Sequence, residues 1–466
     1  MTTASPTPDA TAVHELRGQL EGTLATPADA GYDALRASWN LTFEQRPALV
    51  VEAADGDDVV AALGFAHEQQ LPVAVQSTGH GTGVACDGGL LLRTGRLTQV
   101  EVDPVLRIAR IGAGARWTDV LPLTAAHGLA PLLGFNPHVG VVGYTLGGGL
   151  GWLARRHGLA VDSVRALDVV LPDATHLRVT AAAEPDLFWA LRGGASAFGV
   201  VVALELELIE TPELFGGMVL YPGARAAEAI AAYADWAATA PEEVTSSVAV
   251  VRFPPLPEVP EPLRGLTAVS IAACVQRDAA AAEALLAPLR TLGAPLAGSF
   301  RPLLPEDLGT IAMDPVDPMP AAGHAEVVAT LTPELQALLA ETAEGERPLV
   351  IAELRHLGGA LARAGADAGP IPRPAGEFLF HAETVVPPGP AGAAAHAELA
   401  RLAQALAPHV AGPPLPSFLG ELETGPERLE QAFPAATRAR LGRLKARYDP
   451  DERFRFGRPV PRGWAG

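Results

Sequence analysis

The sequence predicts an α+β chain in two parts, and three observations predict it. Up to Leu208, short apolar runs alternate with capped helical stretches and are punctuated by Gly, Pro and Asp. From about Leu214 the runs lengthen and alternate with alanine-rich helical patterns, which suits an antiparallel sheet covered by helices. Within the first of these regimes lie two glycine clusters, Gln76-Ser-Thr-Gly-His-Gly81 and Gly143-Tyr-Thr-Leu-Gly-Gly-Gly-Leu-Gly151.

Residues 57–67 are predicted as an amphipathic helix with an acidic cap, followed by a strand at 71–75. Strands are then expected at 89–92, 98–102, 108–113, 164–171 and 200–208. In the second part the expected order is strand 217–221, helix 224–238, strands 247–253 and 266–275, and helix 279–292. Strands 349–357 and 377–386 complete that sheet, and helix 391–406 follows. The Pro-rich stretches 254–262, 302–320 and 370–374 are expected as long surface loops. The implied divisions are a tail at 1–30, a first domain at 31–212, a second at 213–415, and a segment at 416–466 returning to the first.

Composition limits the function. With 53 acidic against 34 basic side chains in 466 residues, the net charge of −19 argues against a surface that tracks nucleic-acid phosphates. No run of about 18 apolar residues is present, so no membrane span is expected. The opening Met1-Thr-Thr-Ala-Ser-Pro-Thr-Pro8 has neither a basic start nor an apolar core and reads as a disordered tail. Two cysteines, Cys86 and Cys274, are too few for a disulfide framework and wrongly spaced for structural zinc. A reducing cytoplasm is the expected compartment, and a small molecule the expected partner.

The glycine clusters carry the chemistry. Residues without a Cβ let the backbone approach a ligand, and successive N–H groups make a concavity suited to a pyrophosphate. His80, at the end of an apolar strand, is then the reactive side chain nearest a bound dinucleotide. A nicotinamide site fits poorly, because the glycines lack the strand, Gly-x-Gly-x-x-Gly and helix context and the acidic residue about twenty positions on.

These residues, with Asp87-Gly-Gly, Pro137-His-Val-Gly-Val-Val-Gly143, Arg192-Gly-Gly, Phe198-Gly-Val-Val201, Lys445-Ala-Arg-Tyr-Asp-Pro450 and Phe454-Arg-Phe456, are similar in order and spacing to one known group. The chain resembles the berberine-bridge-enzyme-like FAD-linked oxidoreductases, whose fold is the PCMH-type flavoprotein fold of vanillyl-alcohol oxidase. The resemblance runs from about Arg46 onward. It implies a two-part FAD-binding domain with an antiparallel-sheet substrate domain, and an 8α-histidyl bond from His80 to the flavin. A lone histidine on a strand end would otherwise read as a core residue.

The resemblance also implies flavin contacts from Gln76, Ser77, Thr78, Gly79, Gly81, Asn136, Pro137, Val139, Gly140, Gly143, Tyr144, Gly147, Gly148, Gly149, Leu150, Gly151, Asp162, Gly199 and Val201. Asn136 stands where many relatives carry a second, cysteine anchor, so a single attachment follows. Gln76 replaces a more usual arginine, which removes a positive charge near the pyrophosphate. Tyr144 replaces a histidine and either contacts the ribityl chain or substrate, or only packs. Val139 either leaves space for dioxygen beside the flavin or is a core valine. Asp162 either lies at the flavin or caps a turn.

The base that accepts a substrate proton is less clear in the sequence. The resemblance implies a Tyr-x-Asn stretch near the return to the first domain, but residues 416–421 read Pro-Ser-Phe-Leu-Gly-Glu. Period-two alternation puts Glu353 and Arg355 on one face of one strand, and Glu377, His381 and Glu383 on one face of the next. Facing a flavin, Glu353 or His381 is a base and Arg355 an anion clamp; facing water, all are solvated charges.

The expected function is an FAD-dependent oxidase of secondary metabolism. It acts on a small natural-product or glycosidic alcohol, passes hydride to flavin N5 and uses O2 as acceptor, giving peroxide. The alternatives are a flavin-dependent cyclase, a dehydrogenase with another acceptor, and a flavin-binding homologue without catalysis.

Overall fold

Val- and Leu-rich runs in the first part form two main sheets. The computed structural model describes residues 8–465 apart from 212, 313, 364, 366, 367, 421, 422, 424, 425, 458 and 459. Strands β1 (Thr23–Ala25), β2 (Leu49–Glu52), β3 (Val73–Gln76) and β4 (Leu90–Arg93) make a sheet in the order β1-β2-β4-β3. β2 and β3 both run parallel to β4, and Leu90, Leu91 and Leu92 are fully buried, as a strand covered on both faces requires. The helix Gly56–Glu68 packs on it, and its N-cap is Asp55, whose carboxylate accepts from the N–H groups of Asp57 and Asp58.

The second sheet takes β5 (Val100–Asp103), β6 (Ile108–Gly112), β8 (Val164–Val170), β9 (His176–Thr180) and β10 (Val200–Glu207) in the antiparallel order β5-β6-β10-β8-β9, while β7 (Leu129–Ala130) pairs with β11 (Ile209–Glu210).

The second part is one antiparallel sheet of seven strands: β12 (Leu214–Pro222), β13 (Val244–Arg252), β14 (Thr267–Val275), β15 (Ala297–Leu303), β16 (Ala321–Val328), β17 (Ile351–His356) and β18 (Phe378–Val385). Their order is β15-β12-β14-β13-β17-β18-β16. Helices Ala226–Ala237, Ala279–Leu286, Pro333–Glu341 and Pro390–Leu406 cover one face, where Tyr233, Trp236, Leu335 and Leu399 share a core with Val248, Leu354 and Phe380. The other face turns to the first part, where Ala272, Ala325 and Leu379 share a core with Leu133, Trp152 and Leu153.

The α+β expectation holds, with corrections at the edges. The tail expected at 1–30 contains a helix, Ala10–Gln19, capped by Asp9, and strand β1; residues 1–7 lie outside the described residues. The stretch expected as a loop at 302–320 begins inside β15, and β16 follows directly at Ala321. The helix expected to reach 292 ends as an α-helix at Leu286 and tightens into the 3-10 turn Ala287–Arg290, where Pro288 removes an N–H. Nor is 370–374 a plain surface loop: Ile371 is buried, and it and Pro370 lie against Gly193. No helix among the described residues is long and apolar enough to cross a membrane.

The C-terminal segment is fixed by a buried ion. Lys445, on helix Ala435–Tyr448, donates to Asp449 Oδ2 at 2.6 Å and to the carbonyls of Ala197 at 2.7 Å and Phe454 at 2.9 Å. Asp449 in turn accepts from the backbone N–H groups of Arg453 and Phe454. Every partner of this buried pair is satisfied, so the segment is held against the first part and Phe456 is delivered to the cavity below.

Candidate functional site

A cavity of about 480 Å³ lies where the two parts meet, walled by both glycine clusters and by the inner face of the seven-stranded sheet. That volume is in the range of a small-molecule site.

The first cluster leaves β3 after Gln76 and turns at Gly79, where φ is +86° and a Cβ would lie 2.7 Å from that of Ser38. Only glycine fits there. The turn presents His80 to the cavity. Its ring stacks on Trp39 with centroids 4.4 Å apart and planes 17° from parallel. Nδ1 lies 2.8 Å from Thr78 Oγ1, and Nε2 is buried with no hydrogen-bond partner among the described residues. Burial, with Arg116 and His138 adding, pulls the imidazole down to about 4, so it is neutral at physiological pH.

The second cluster forms the short helix Val141–Leu146 and the turn after it. The Tyr144 ring fills the space that side chains at Gly134 and Gly149 would need. Its hydroxyl is buried and without a partner among the described residues, and burial pushes its pKa up, so the phenol keeps its proton. Of the residues named above for flavin contact, Gln76, Ser77, Thr78, Gly79, Gly81, Asn136, Val139, Gly140, Gly143, Tyr144, Gly147, Leu150 and Val201 line the cavity. Pro137, Gly148, Gly149, Gly151, Asp162 and Gly199 do not line it. Side chains at Gly151 and Gly199 would run into the carbonyls of Leu133 and Val170, so these glycines serve close packing.

Gln76 spends its amide on protein, donating to the Ala37 carbonyl and accepting from Gln45, each at 2.8 Å. Asp162 forms a two-pronged ion pair with Arg373 at 2.8 Å, which clamps the 370–374 segment. Val139 is not part of the buried core but a partly exposed residue of the cavity wall. Asn136 accepts from His138 N–H and donates to the Pro315 carbonyl, so it ties down the loop that carries Asp314.

The polar faces of β17 and β18 look into the cavity, whose opening leaves the Glu383 side chain half exposed. Arg355, His381 and Glu383 line it, whereas Glu377 precedes β18 and is exposed. Glu353 lies behind the wall, 2.7 Å from Arg355 Nε, and holds its guanidinium over the rings of Phe135 at 4.0 Å and Phe418 at 5.4 Å. His381 Nε2 is 3.3 Å from Glu383 Oε1, and its Nδ1 is buried with no hydrogen-bond partner among the described residues. The partial loss of water around half-exposed Glu383 would raise it, but His381 and Arg355 outweigh this and hold the carboxyl below its ordinary value.

Phe418, within the stretch where the resemblance implies Tyr-x-Asn, stands edge-on to His381 at 5.7 Å; Glu421 lies outside the described residues. The sequence reading missed Asp314, which lines the cavity from the loop before β16 and is raised to about 6 by burial, with Glu383 and Glu353 adding to the effect against Arg355.

These residues fit a flavin dinucleotide. Gly81 and Gly143 leave open space where a side chain would stand, and buried polar atoms of Ser77, His80 and Tyr144 in the same wall await partners.

Residues 47–180 match the FAD binding domain family. A curated relative, (R)-6-hydroxynicotine oxidase of Paenarthrobacter nicotinovorans, is 33% identical over 205 residues, 43% of this chain and 45% of that one. The chain spans about half the length of the curated relatives it matches. Solved structures are matched almost throughout. Chitooligosaccharide oxidase superposes with a TM-score of 0.82 at 20% identity, over 97% of this chain and 99% of the other. A BBE-like protein of Physcomitrella patens gives 0.80 at 16%, over 96% and 99%. At these identities the likeness is one of fold.

Proposed function

From a chain that carries an FAD-binding domain and has the fold of the BBE-like flavoproteins and flavin-linked oxidases, we propose an FAD-dependent oxidase joined to its flavin through His80 alone. One observation carries this reading: His80 and the Arg355, His381 and Glu383 group open into the same cavity from opposite parts of the chain. Bound FAD supplies the acceptor for a hydride from the substrate carbon and passes the electron pair to O2, giving peroxide.

The chain's own residues do the rest. The glycine walls at Gly79–Gly81 and Gly140–Gly147 admit the dinucleotide, and the neutral His80 imidazole holds the lone pair a covalent tether needs. In this reading the buried, unpartnered Tyr144 hydroxyl meets the ribityl chain or the substrate. His381 takes the substrate hydroxyl proton at Nδ1, while Glu383 orients the ring and stabilises the cation that forms. Arg355, immobilised by Glu353 and two aromatic faces, donates hydrogen bonds to the substrate oxygen. Val139 is the small wall residue that leaves room for O2.

The substrate class is a small natural-product or glycosidic alcohol of secondary metabolism, handled in the cytoplasm. The test is peroxide release by the yellow protein across such alcohols. Flavin bleaching without peroxide would assign a dehydrogenase with another acceptor; product formation without net oxidation, a cyclase; and no bleaching with any candidate, a flavin binder without catalysis.

A further inference from the structure

The segment carrying Trp39 lies before the residues matched to the FAD-binding domain, yet it touches both sides of the cavity. Its indole face covers the His80 ring. Its backbone N–H donates to the Thr78 carbonyl at 3.2 Å, inside the turn that presents His80. Across the cavity its Nε1–H donates to the Val316 carbonyl at 2.9 Å, and its own carbonyl accepts from Met319 N–H at 3.1 Å. Asn40 continues the contact, donating to the Ala321 carbonyl and accepting from Ala321 N–H. One short strap thus grips the anchor histidine and the loop that holds Asp314.

We propose that Trp39 is a positioning residue for flavin attachment: its ring holds the His80 imidazole in the one plane from which it reaches the flavin, and its hydrogen bonds to Val316 and Met319 tie that plane to the wall bearing Asp314. The proposal rests on the reading that His80 is the covalent anchor. Attachment forms a bond between an imidazole nitrogen and the flavin 8α carbon, breaks one C–H bond there and the imidazole N–H bond, and releases the two protons that hydrogen peroxide finally carries. The electron pair stays on the flavin until dioxygen removes it as peroxide.

Without the stack, His80 turns about its side-chain bonds, constrained only by the Thr78 hydroxyl on one ring nitrogen. Its reacting lone pair then spends little time in line with its target, and such lost alignment costs orders of magnitude in rate. A phenyl ring at this position restores the face but not the Nε1–H donor; a leucine fills part of the volume and restores neither.

The experiment compares the parent with Trp39→Phe, Trp39→Leu and Trp39→Ala, each loaded with FAD. It measures acid-precipitable flavin as a fraction of total bound flavin over time. Trp39→Phe should attach within about threefold of the parent rate, and Trp39→Leu and Trp39→Ala at least tenfold more slowly while still binding FAD. Equal attachment by the Leu and Phe variants overturns the proposal, and the Leu variant decides even if the Ala variant does not fold. A parent whose flavin is released entirely by acid overturns the anchor reading and the proposal with it; a covalent parent with unchanged variants overturns the proposal alone.

Discussion

His381 Nε2 and Glu383 Oε1, two residues apart on one strand, lie 3.3 Å from each other on the cavity wall. A carboxylate at that distance accepts from the Nε2–H and fixes the ring, which in the proposed reading leaves Nδ1 to meet a substrate hydroxyl. His381→Gln should lower kcat by about 10² to 10⁴ while bound flavin is unchanged. Glu383→Gln should act in the same direction and more mildly, since the base itself survives. The check is anaerobic flavin reduction by substrate in stopped flow; a His381→Gln protein that reduces its flavin at the parent rate removes His381 from the chemistry.

Asp314 gives a pH signature. Its carboxyl is raised from an ordinary 3.8 to about 6, so the folded chain holds this proton more tightly than the unfolded chain does. Its contribution to stability is therefore complete below pH 3.8 and is lost as pH rises through 6. Asp314→Asn removes this loss. The variant's stability relative to the parent should increase between pH 4 and pH 7, by on the order of 1 to 3 kcal/mol. Chemical denaturation at both values measures it, and a difference that does not move with pH contradicts the assignment.

Val139 should distinguish the two half-reactions. Val139→Leu enlarges a wall residue beside the proposed flavin position and should slow reoxidation by air about tenfold or more, a barrier change of about 1.4 kcal/mol. Flavin reduction by substrate should stay nearly intact. Equal slowing of both would make Val139 a packing residue for the flavin.

Much of this was legible from residue pattern. Both glycine clusters, His80 and the polar faces of Arg355 and His381 follow from motif and from period-two alternation, which survives in β17 and β18 because each has one face on the helix-covered core. In the seven-stranded sheet the two strands missed, β15 and β16, are its edges; β1, β2 and β9 of the first part were missed as well. β15 carries Pro302 and a Gly298 at φ +83° and is mostly exposed, so it lacks an alternating apolar signal. β16 reads Ala-Ala-Gly-His-Ala-Glu before its two valines, poor strand formers held in place by pairing with β18.

Asp314 was invisible because its loop has no period, and its place depends on partners far away in sequence, Trp39 and Asn136. The helix Pro333–Glu341 did leave a signal that the reading passed over: Thr332 as cap, Pro333 at the first position and Glu334 in the first turn.

The central claim is a flavin tethered at His80 and nowhere else. The most direct measurement is proteolysis of acid-precipitated protein, with mass spectrometry of the yellow peptides. One flavin-bearing peptide should appear, containing His80, and it should vanish in a His80→Ala protein that still binds FAD reversibly. Colour lost wholly to the acid supernatant, or a flavin carried on a peptide containing Cys86, would contradict it.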